Sequence, residues 1–344
     1  MPKQQVASDS DEDERLDEGN DAPRSVADVA PAWLVDLRRS LHRRGFYQSL
    51  GDYALMYVER SSDHLVVSFD NLSSARDDSI NREPWGYGFV SKNGWSHLGI
   101  LAFRGEWFRN DELIQALQGL TTSGFFKRFK SVTLIGTSMG GYAACAFSSL
   151  IPGCRVIAFS PQSTLKADLV PWEDRFGSGR KANWDGPFAD AATETAGAES
   201  VWLIYDPFFT NDRKHIERFT GPNVVPLRAR HGGHKTALIL RRAELLSTIV
   251  REAVEGRMSE QRFYQHYRKV RQMPWFTNTL ADMAFSRQRQ DLVLRLIQHL
   301  RRSGRGFSAH NLRKKAVKLF GVDPLAPKRS PVIQHQSISE DHKE

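Results

Sequence analysis

Through the middle of the chain, short apolar runs alternate with longer stretches in which apolar residues return every three or four positions. Residues 53–59 and 64–70 read as two strands joined by Arg60-Ser61-Ser62-Asp63, a hairpin-like start to a sheet. Residues 97–103 predict a further strand, and 111–129 an amphipathic helix carrying Leu113, Ile114, Leu117 and Leu120 on one side. The run 132–135 is apolar and largely β-branched with no polar alternation, as expected of a strand buried on both faces of a parallel sheet. Residues 141–150 then return to helical spacing. Three more strands are predicted at 155–159, 201–205 and 224–227, with helices at 212–219 and 235–254. Strands alternating with helices of this size imply an α/β fold, a mostly parallel sheet with helices on both faces. In such sheets ligands gather at the carboxyl ends of the strands.

The flanking regions follow other rules. Trp33, Leu34, Leu37 and Leu41, separated by basic residues, predict a helix over 33–46 stopped by Gly45. About forty residues, 161–200, separate two strands and contain Pro161, Pro171, Trp172, Trp184 and Pro187. That is too long for an ordinary connection and predicts a lid or functional loop. Within it, Trp172, Glu173, Arg175 and Trp184 are read as a cluster that stabilises the loop, ahead of direct substrate contact. Beyond residue 257 strand patterning ends. Leu292, Val293, Leu296, Ile297 and Leu300 line one predicted helix face up to Gly304, and Leu312, Ala316, Leu319 and Phe320 line a second helix before Gly321. The expected organisation is an acidic disordered tail over 1–31, a catalytic domain over 32–256, a basic helical C-terminal region over 257–325, and a disordered tail over 326–344.

A chain of 344 residues can bury a full core and carry a smaller appendage. No apolar run is long enough for a transmembrane helix, and the polar, then acidic, start does not resemble a secretion signal. Two cysteines, Cys145 and Cys154, make no disulfide framework and point to a reducing, cytoplasmic setting. The net charge of +8 conceals an asymmetry, because residues 7–22 carry a net −7 and residues 257–329 a net +13. The basic region interleaves Phe263, Tyr264, Tyr267, Trp275 and Phe276 with Arg262, Arg268, Lys269 and Arg271, so a polyanion contact through 257–329 is one candidate role. Packing of those aromatics against the body, with solvated arginines, is the competing and preferred reading.

The chemistry-bearing pattern is Gly136-Thr137-Ser138-Met139-Gly140, between the apolar run 132–135 and the helix that follows. Glycines flanking a serine at a strand-to-helix turn allow a bend where a Cβ would clash, and leave the hydroxyl exposed. The amide of Met139, at the start of the helix, is then placed to stabilise an oxyanion. An activated serine needs a base and a carboxylate that holds the base in one tautomer. Asp206 follows the strand 201–205, with Pro207 favouring an extended geometry, and Asp212 is the alternative acid. The strand 224–227 runs into Arg230-His231-Gly232-Gly233-His234, where either histidine can serve as base. As metal ligands the two histidines lack a third partner, so no metal and no cofactor are expected.

Gly136-x-Ser138-x-Gly140, the post-strand Asp206 and the Gly233-His234 loop, in that chain order, resemble the α/β-hydrolase superfamily over about residues 50–255. The resemblance implies a Ser-Asp-His triad of Ser138, Asp206 and His234. His234 is preferred over His231 because it follows a glycine and precedes a helix, where this family's base usually sits. It also implies an oxyanion site built from the Met139 amide and an amide after an earlier strand. This chain has Asp70-Asn71-Leu72 where the family often has a His-Gly pair, so Asn71 or Leu72 is the expected second donor. The function expected is a serine hydrolase acting on an ester or thioester, small or polymer-linked, through an acyl-enzyme. An acyltransferase using an alcohol acceptor is the near alternative, and a non-catalytic binding module the distant one.

Overall fold

A computed structural model describes residues 44–77, 82–321, 323 and 325. The expected acidic tail, residues 33–43 of the expected N-terminal helix and the expected tail from 326 lie outside the described residues. The apolar runs assemble into one eight-stranded sheet in the order β1-β2-β4-β3-β5-β6-β7-β8. Its strands are β1 (Arg44–Leu50), β2 (Tyr53–Glu59), β3 (His64–Phe69), β4 (Ser96–Ala102), β5 (Ser131–Thr137), β6 (Arg155–Phe159), β7 (Ser200–Tyr205) and β8 (Val224–Arg228). β2 runs antiparallel to β1 and β4, and every pairing from β4 through β8 is parallel. The carboxyl ends of β3, β5, β6 and β7 therefore finish side by side.

Two early expectations are corrected. Residues 44–46 begin a strand and do not end a helix; Gly45 lies opposite Val58, and a Cβ there would run into the Tyr57 carbonyl. Its glycine serves a close strand approach. The runs 53–59 and 64–70 do not pair as a hairpin, because β4 lies between them. Their connection is instead tied to β4, where the Ser96 hydroxyl accepts from the Arg60 and Ser61 amides at 2.9 and 3.1 Å.

Helices cover both faces. α1 (Tyr87–Lys92) precedes β4 and has no strong periodic signal. α2 (Asp111–Thr122) is capped by Asn110, whose Oδ1 accepts from the Leu113 amide at 3.0 Å, and buries Leu113, Ile114 and Leu117. It stops short of the predicted 129, at a turn through Gly124 with φ 74°. α3 (Met139–Ala146) is buried on every side, lying against β3, β5 and β6. The predicted helix 235–254 is broken into α7 (Thr236–Arg242) and α8 (Leu246–Val254) by Glu244, with φ 58°. α8 packs Ile249 and Val250 over β5 and β6. Filling such positions with fully buried aliphatic side chains contributes roughly 1.5–3 kcal/mol each.

The insertion between β6 and β7 holds two four-residue helices, α4 (Gly177–Arg180) and α5 (Ala191–Glu194), in otherwise irregular chain. It is packed into the body: Leu165 and Val170 are fully buried, as are the polar Gln162, Ser163, Thr164 and Glu173. Arg109 anchors it by donating to the Asn183 and Pro187 carbonyls at 3.0 and 2.6 Å. Trp184 is buried and donates to the Gly179 carbonyl at 2.8 Å, and Trp172 lies against His215. Both tryptophans thus pack the loop. After β7 comes α6 (Thr210–Ile216).

The chain divides into two compact units after Val270, later than the boundary expected at 257. α9 (Glu260–Tyr267) belongs to the first unit. There Phe263 and Tyr267 are buried, the Tyr267 hydroxyl donates to the Arg230 carbonyl at 2.8 Å, and the Tyr264 hydroxyl accepts from the Arg228 amide at 3.1 Å. These aromatics hold α9 to the β8 edge. The second unit contains α10 (Pro274–Ser286), α11 (Gln290–Arg302) and α12 (Gly306–Phe320) around Ala284, Phe285, Val293, Ile297, Leu300, Leu312 and Ala316. Leu292 and Leu319 are more exposed than their periodicity predicted. Among the described residues no helix is long and apolar enough to cross a membrane.

One buried histidine makes the fold acid-sensitive. His97 on β4 is fully buried; its Nε2 meets the Ser68 hydroxyl at 2.7 Å, and its Nδ1 has no partner among the described residues. Burial holds the imidazole down to about 3, from an ordinary value of 6.5. Between those values the unfolded chain takes up a proton that the folded chain refuses, so stability falls as pH falls from 6.5 toward about 3. Thermal midpoints measured across that interval should drop less steeply for His97→Leu than for wild type; equal slopes contradict this assignment.

Candidate active site

The turn after β5 fixes the first component. Ser138 has φ 52° and ψ −117°, a conformation that side-chain-bearing residues rarely adopt. Its neighbours explain how it is held. A Cβ at Gly136 would run into the Gly140 carbonyl, a Cβ at Gly140 would lie 2.6 Å from the Asp70 carbonyl oxygen, and one at Gly141 would lie 3.1 Å from Pro161 Cβ. The Ser138 amide donates to the Phe159 carbonyl at 2.8 Å, and its carbonyl accepts from the Tyr142 amide at 2.9 Å. The turn is thus clamped between β3 and β6.

His234 arrives from the loop after β8. The Ala229 amide continues the β7–β8 ladder by donating to the Tyr205 carbonyl at 2.7 Å, then His231 and Gly233 take positive φ values of 66° and 56° and turn the chain back over the sheet. His234 Nε2 lies 2.8 Å from Ser138 Oγ, and Nδ1 lies 2.9 and 2.8 Å from the two oxygens of Asp212. A carboxylate accepts only, so Nδ1 carries the proton and Nε2 accepts from the serine hydroxyl. Phe176 and Phe209 rings, at 6.1 and 5.9 Å, flank the imidazole.

Asp212, not Asp206, is the carboxylate brought to His234. Asp206 is occupied at the end of β7: Oδ1 accepts from the Phe208 amide at 3.0 Å and Oδ2 from the Gly233 amide at 2.9 Å. It shapes the turn after the strand and tethers the histidine loop. The chain has to enter α6 before a carboxylate reaches Nδ1. Asp212 is fully buried, which pushes its carboxyl up, but the charge and hydrogen bond of His234 together with Arg175 outweigh burial and hold it below the ordinary carboxylate range. His231 stacks on the exposed Phe208 ring at 4.9 Å and takes no part in this series.

Met139 begins α3 directly behind Ser138 and is buried. Asn71 and Leu72 follow β3, and the contact of Gly140 with the Phe69 and Asp70 carbonyls sets this loop against the serine turn. Asn71 Oδ1 accepts from the Ser74 amide at 2.8 Å, which shapes the loop. Asp70 anchors it from within: buried, it accepts from Arg82 Nη1 at 2.6 Å and from the Trp85 and Ala102 amides at 3.1 Å each.

Gln162, unnoticed in the sequence, also reaches the serine. Its Oε1 accepts from Trp107 Nε1 at 3.1 Å; since an indole only donates, the amide nitrogen must face the other way, where it donates to Ser138 Oγ at 3.3 Å. Trp107 and Phe108 hold φ values of 51° and 55°. Among the described residues no cluster of His, Cys, Asp and Glu has the makings of a metal site.

A sheet of this order, with its serine on the glycine turn after β5 and its histidine in the loop after β8, has the α/β-hydrolase fold. No family profile matches the chain, and no curated protein matches it in sequence. Similar solved structures include an esterase of Pyrococcus furiosus, 18% identical over 69% of this chain and 97% of the other, with a TM-score of 0.45. The capsule O-acetyltransferase of Neisseria meningitidis serogroup A is 15% identical over 62% of this chain and 96% of the other, with a TM-score of 0.41. A bacterial heroin esterase is 15% identical over 65% and 88%, with a TM-score of 0.41.

Two substitutions at the serine turn should act in opposite directions. Gly136→Ala forces a Cβ into backbone and is expected to destabilise by about 3 kcal/mol, whereas Ser138→Gly relieves the positive φ and is expected to stabilise by about 1 kcal/mol. Urea denaturation of the two variants measures both; a neutral Gly136→Ala contradicts the tight turn.

Proposed function

We propose that the protein is a serine-dependent hydrolase of an ester or thioester, working through an acyl-enzyme on Ser138. The observation that supports this most is the unbroken hydrogen-bond series from Ser138 Oγ through His234 to Asp212. In this reading His234 Nε2 takes the serine proton as Oγ forms a bond to the acyl carbon. Asp212 holds the imidazole by Nδ1 and stabilises the imidazolium. The oxyanion of the tetrahedral intermediate is taken by the Met139 amide and by the amide of Asn71 or Leu72, donors preorganised at a helix start and a braced loop. Collapse breaks the bond to the leaving alcohol or thiol, which receives the proton from His234. Water then repeats the sequence and frees the acid, regenerating Ser138. An alcohol in place of water makes the same enzyme an acyltransferase. Free, buried Cys145 and Cys154 accord with a cytoplasmic setting.

Hydrolysis of p-nitrophenyl esters of increasing acyl length tests the reading. Ser138→Ala and His234→Ala should each lower kcat by at least about 10³-fold, and Asp212→Asn by on the order of 10³–10⁴-fold. Asp206→Asn should cost less than about tenfold, because it disturbs only the loop tether. Wild type no faster than Ser138→Ala on every ester would overturn the proposal. Repeating the assay with added short alcohols and measuring the new ester against free acid separates transferase from hydrolase.

A further inference from the structure

The insertion delivers two charged side chains to the far side of Asp212. Arg175 Nη1 donates to Asp212 Oδ1 at 3.1 Å, the oxygen that also faces His234 Nδ1. The rest of the guanidinium grips Glu173, with Nε at 2.9 and 3.2 Å from its two oxygens and Nη2 at 2.6 Å. Glu173 Oε2 also meets His215 Nε2 at 2.9 Å, and His215 stands one helical step beyond Asp212 on α6. His215 is neutral with its proton on Nε2, because its Nδ1 accepts from the Ser163 amide at 3.1 Å. Ser163, His215 and Glu173 imitate a catalytic series, yet all three are fully buried, and Arg218 Nη1 already donates to Ser163 Oγ at 2.8 Å. That group is a structural brace.

The side chains of Asp212, Glu173 and His215 are fully buried and that of Arg175 is 8% exposed, so screening by water is weak. From His234 outward the charges alternate: Asp212 negative, Arg175 positive, Glu173 negative. Burial alone would push Glu173 up, but Arg175 and His215 hold it at about 2, so it is charged throughout the working range. Among the described residues, the ionisable groups near His234 include Asp206 at the end of β7, which accepts from the Gly233 amide, and Arg230, His231 and Lys235 on its own loop; the Arg218–Asp190 pair lies beyond Ser163.

We infer that Arg175 and Glu173 are positioning residues that set, through Asp212, the pH range in which His234 accepts the Ser138 proton. The inference rests on the proposed hydrolase reading. Arg175 partly offsets the Asp212 charge that favours the imidazolium, and Glu173 moderates Arg175. Removing the guanidinium leaves two buried negative charges near His234, which then keeps its proton to higher pH. Removing the Glu173 charge leaves Arg175 unopposed, and His234 gives up its proton at lower pH. Opposite signs from two neighbouring residues are a signature that mere loosening of the loop would not produce.

The test compares wild type with Arg175→Met, Arg175→Lys and the isosteric Glu173→Gln, each checked for folding by circular dichroism. Two quantities are followed: the acid limb of the kcat/KM–pH profile on a chromogenic ester, and the NMR titration of the His234 imidazole, assigned by its loss in His234→Gln. Both should move up by about one pH unit in Arg175→Met and down by about one unit in Glu173→Gln, and stay near wild type in Arg175→Lys. Should Arg175→Met not fold, the downward shift in Glu173→Gln decides. Folded variants whose imidazole titration stays put, or shifts in one common direction, overturn the inference. A wild type without esterase activity overturns the proposed function, while the imidazole titration still decides the coupling.

Discussion

Everything at this site depends on one close approach of backbone to backbone, where the turn carrying Ser138 is wedged between the ends of β3 and β6. A residue held at φ 52° costs about 1–3 kcal/mol. The cost is tolerated because both of its backbone groups are bonded, to Phe159 and Tyr142, and because Gly136 and Gly140 admit neighbouring carbonyls where a side chain would not fit. Trp107, Phe108, Ser160 and His231, in the chain that follows β4, β6 and β8, also take positive φ values, as do Phe188, Glu244 and Gln288 elsewhere. The first four lie in chain leaving the carboxyl ends of strands, and from there Trp107 Nε1 donates to Gln162 and orients its amide.

The insertion between β6 and β7 supplies what the sheet does not. Its backbone is irregular, but its buried polar side chains are joined to one another and to α6 through Arg175, Glu173, Ser163 and His215. Such a cluster is stable only when complete, since removing one partner of a buried ion pair costs about 3–5 kcal/mol. Completeness gives a forty-residue connection without strands a single packed arrangement. It also places the acid that faces His234 in a weakly screened environment, where a charge two side chains away still counts.

Much of the sheet was legible because β3 through β8 are continuous apolar runs separated by helical spacing, a local signal. The order of the strands was less so. Nothing local tells that β4 slips between β2 and β3, or that Arg44–Leu50 is a strand when its residues alternate weakly and the helical pattern before it runs on. Ser138 and His234 were legible because glycines mark both loops. Asp212 was not preferred over Asp206 because the first acid after a strand is the obvious candidate, and only three dimensions reveal that Asp206 is consumed by the amides of Phe208 and Gly233. The spacing of Asp212 and His215 on one helix face was the available hint. Gln162, Arg175 and Glu173 act across 24 to 42 residues of separation, with no motif to announce them.

The proposed chemistry stands on the strained serine being a working nucleophile. The most direct measurement treats the folded protein with a fluorophosphonate and locates the adduct by peptide mass spectrometry. One adduct per chain is expected, on Ser138, lost on prior denaturation. A folded protein that acquires no adduct, or carries it on another residue such as Ser163, would contradict Ser138 as the nucleophile.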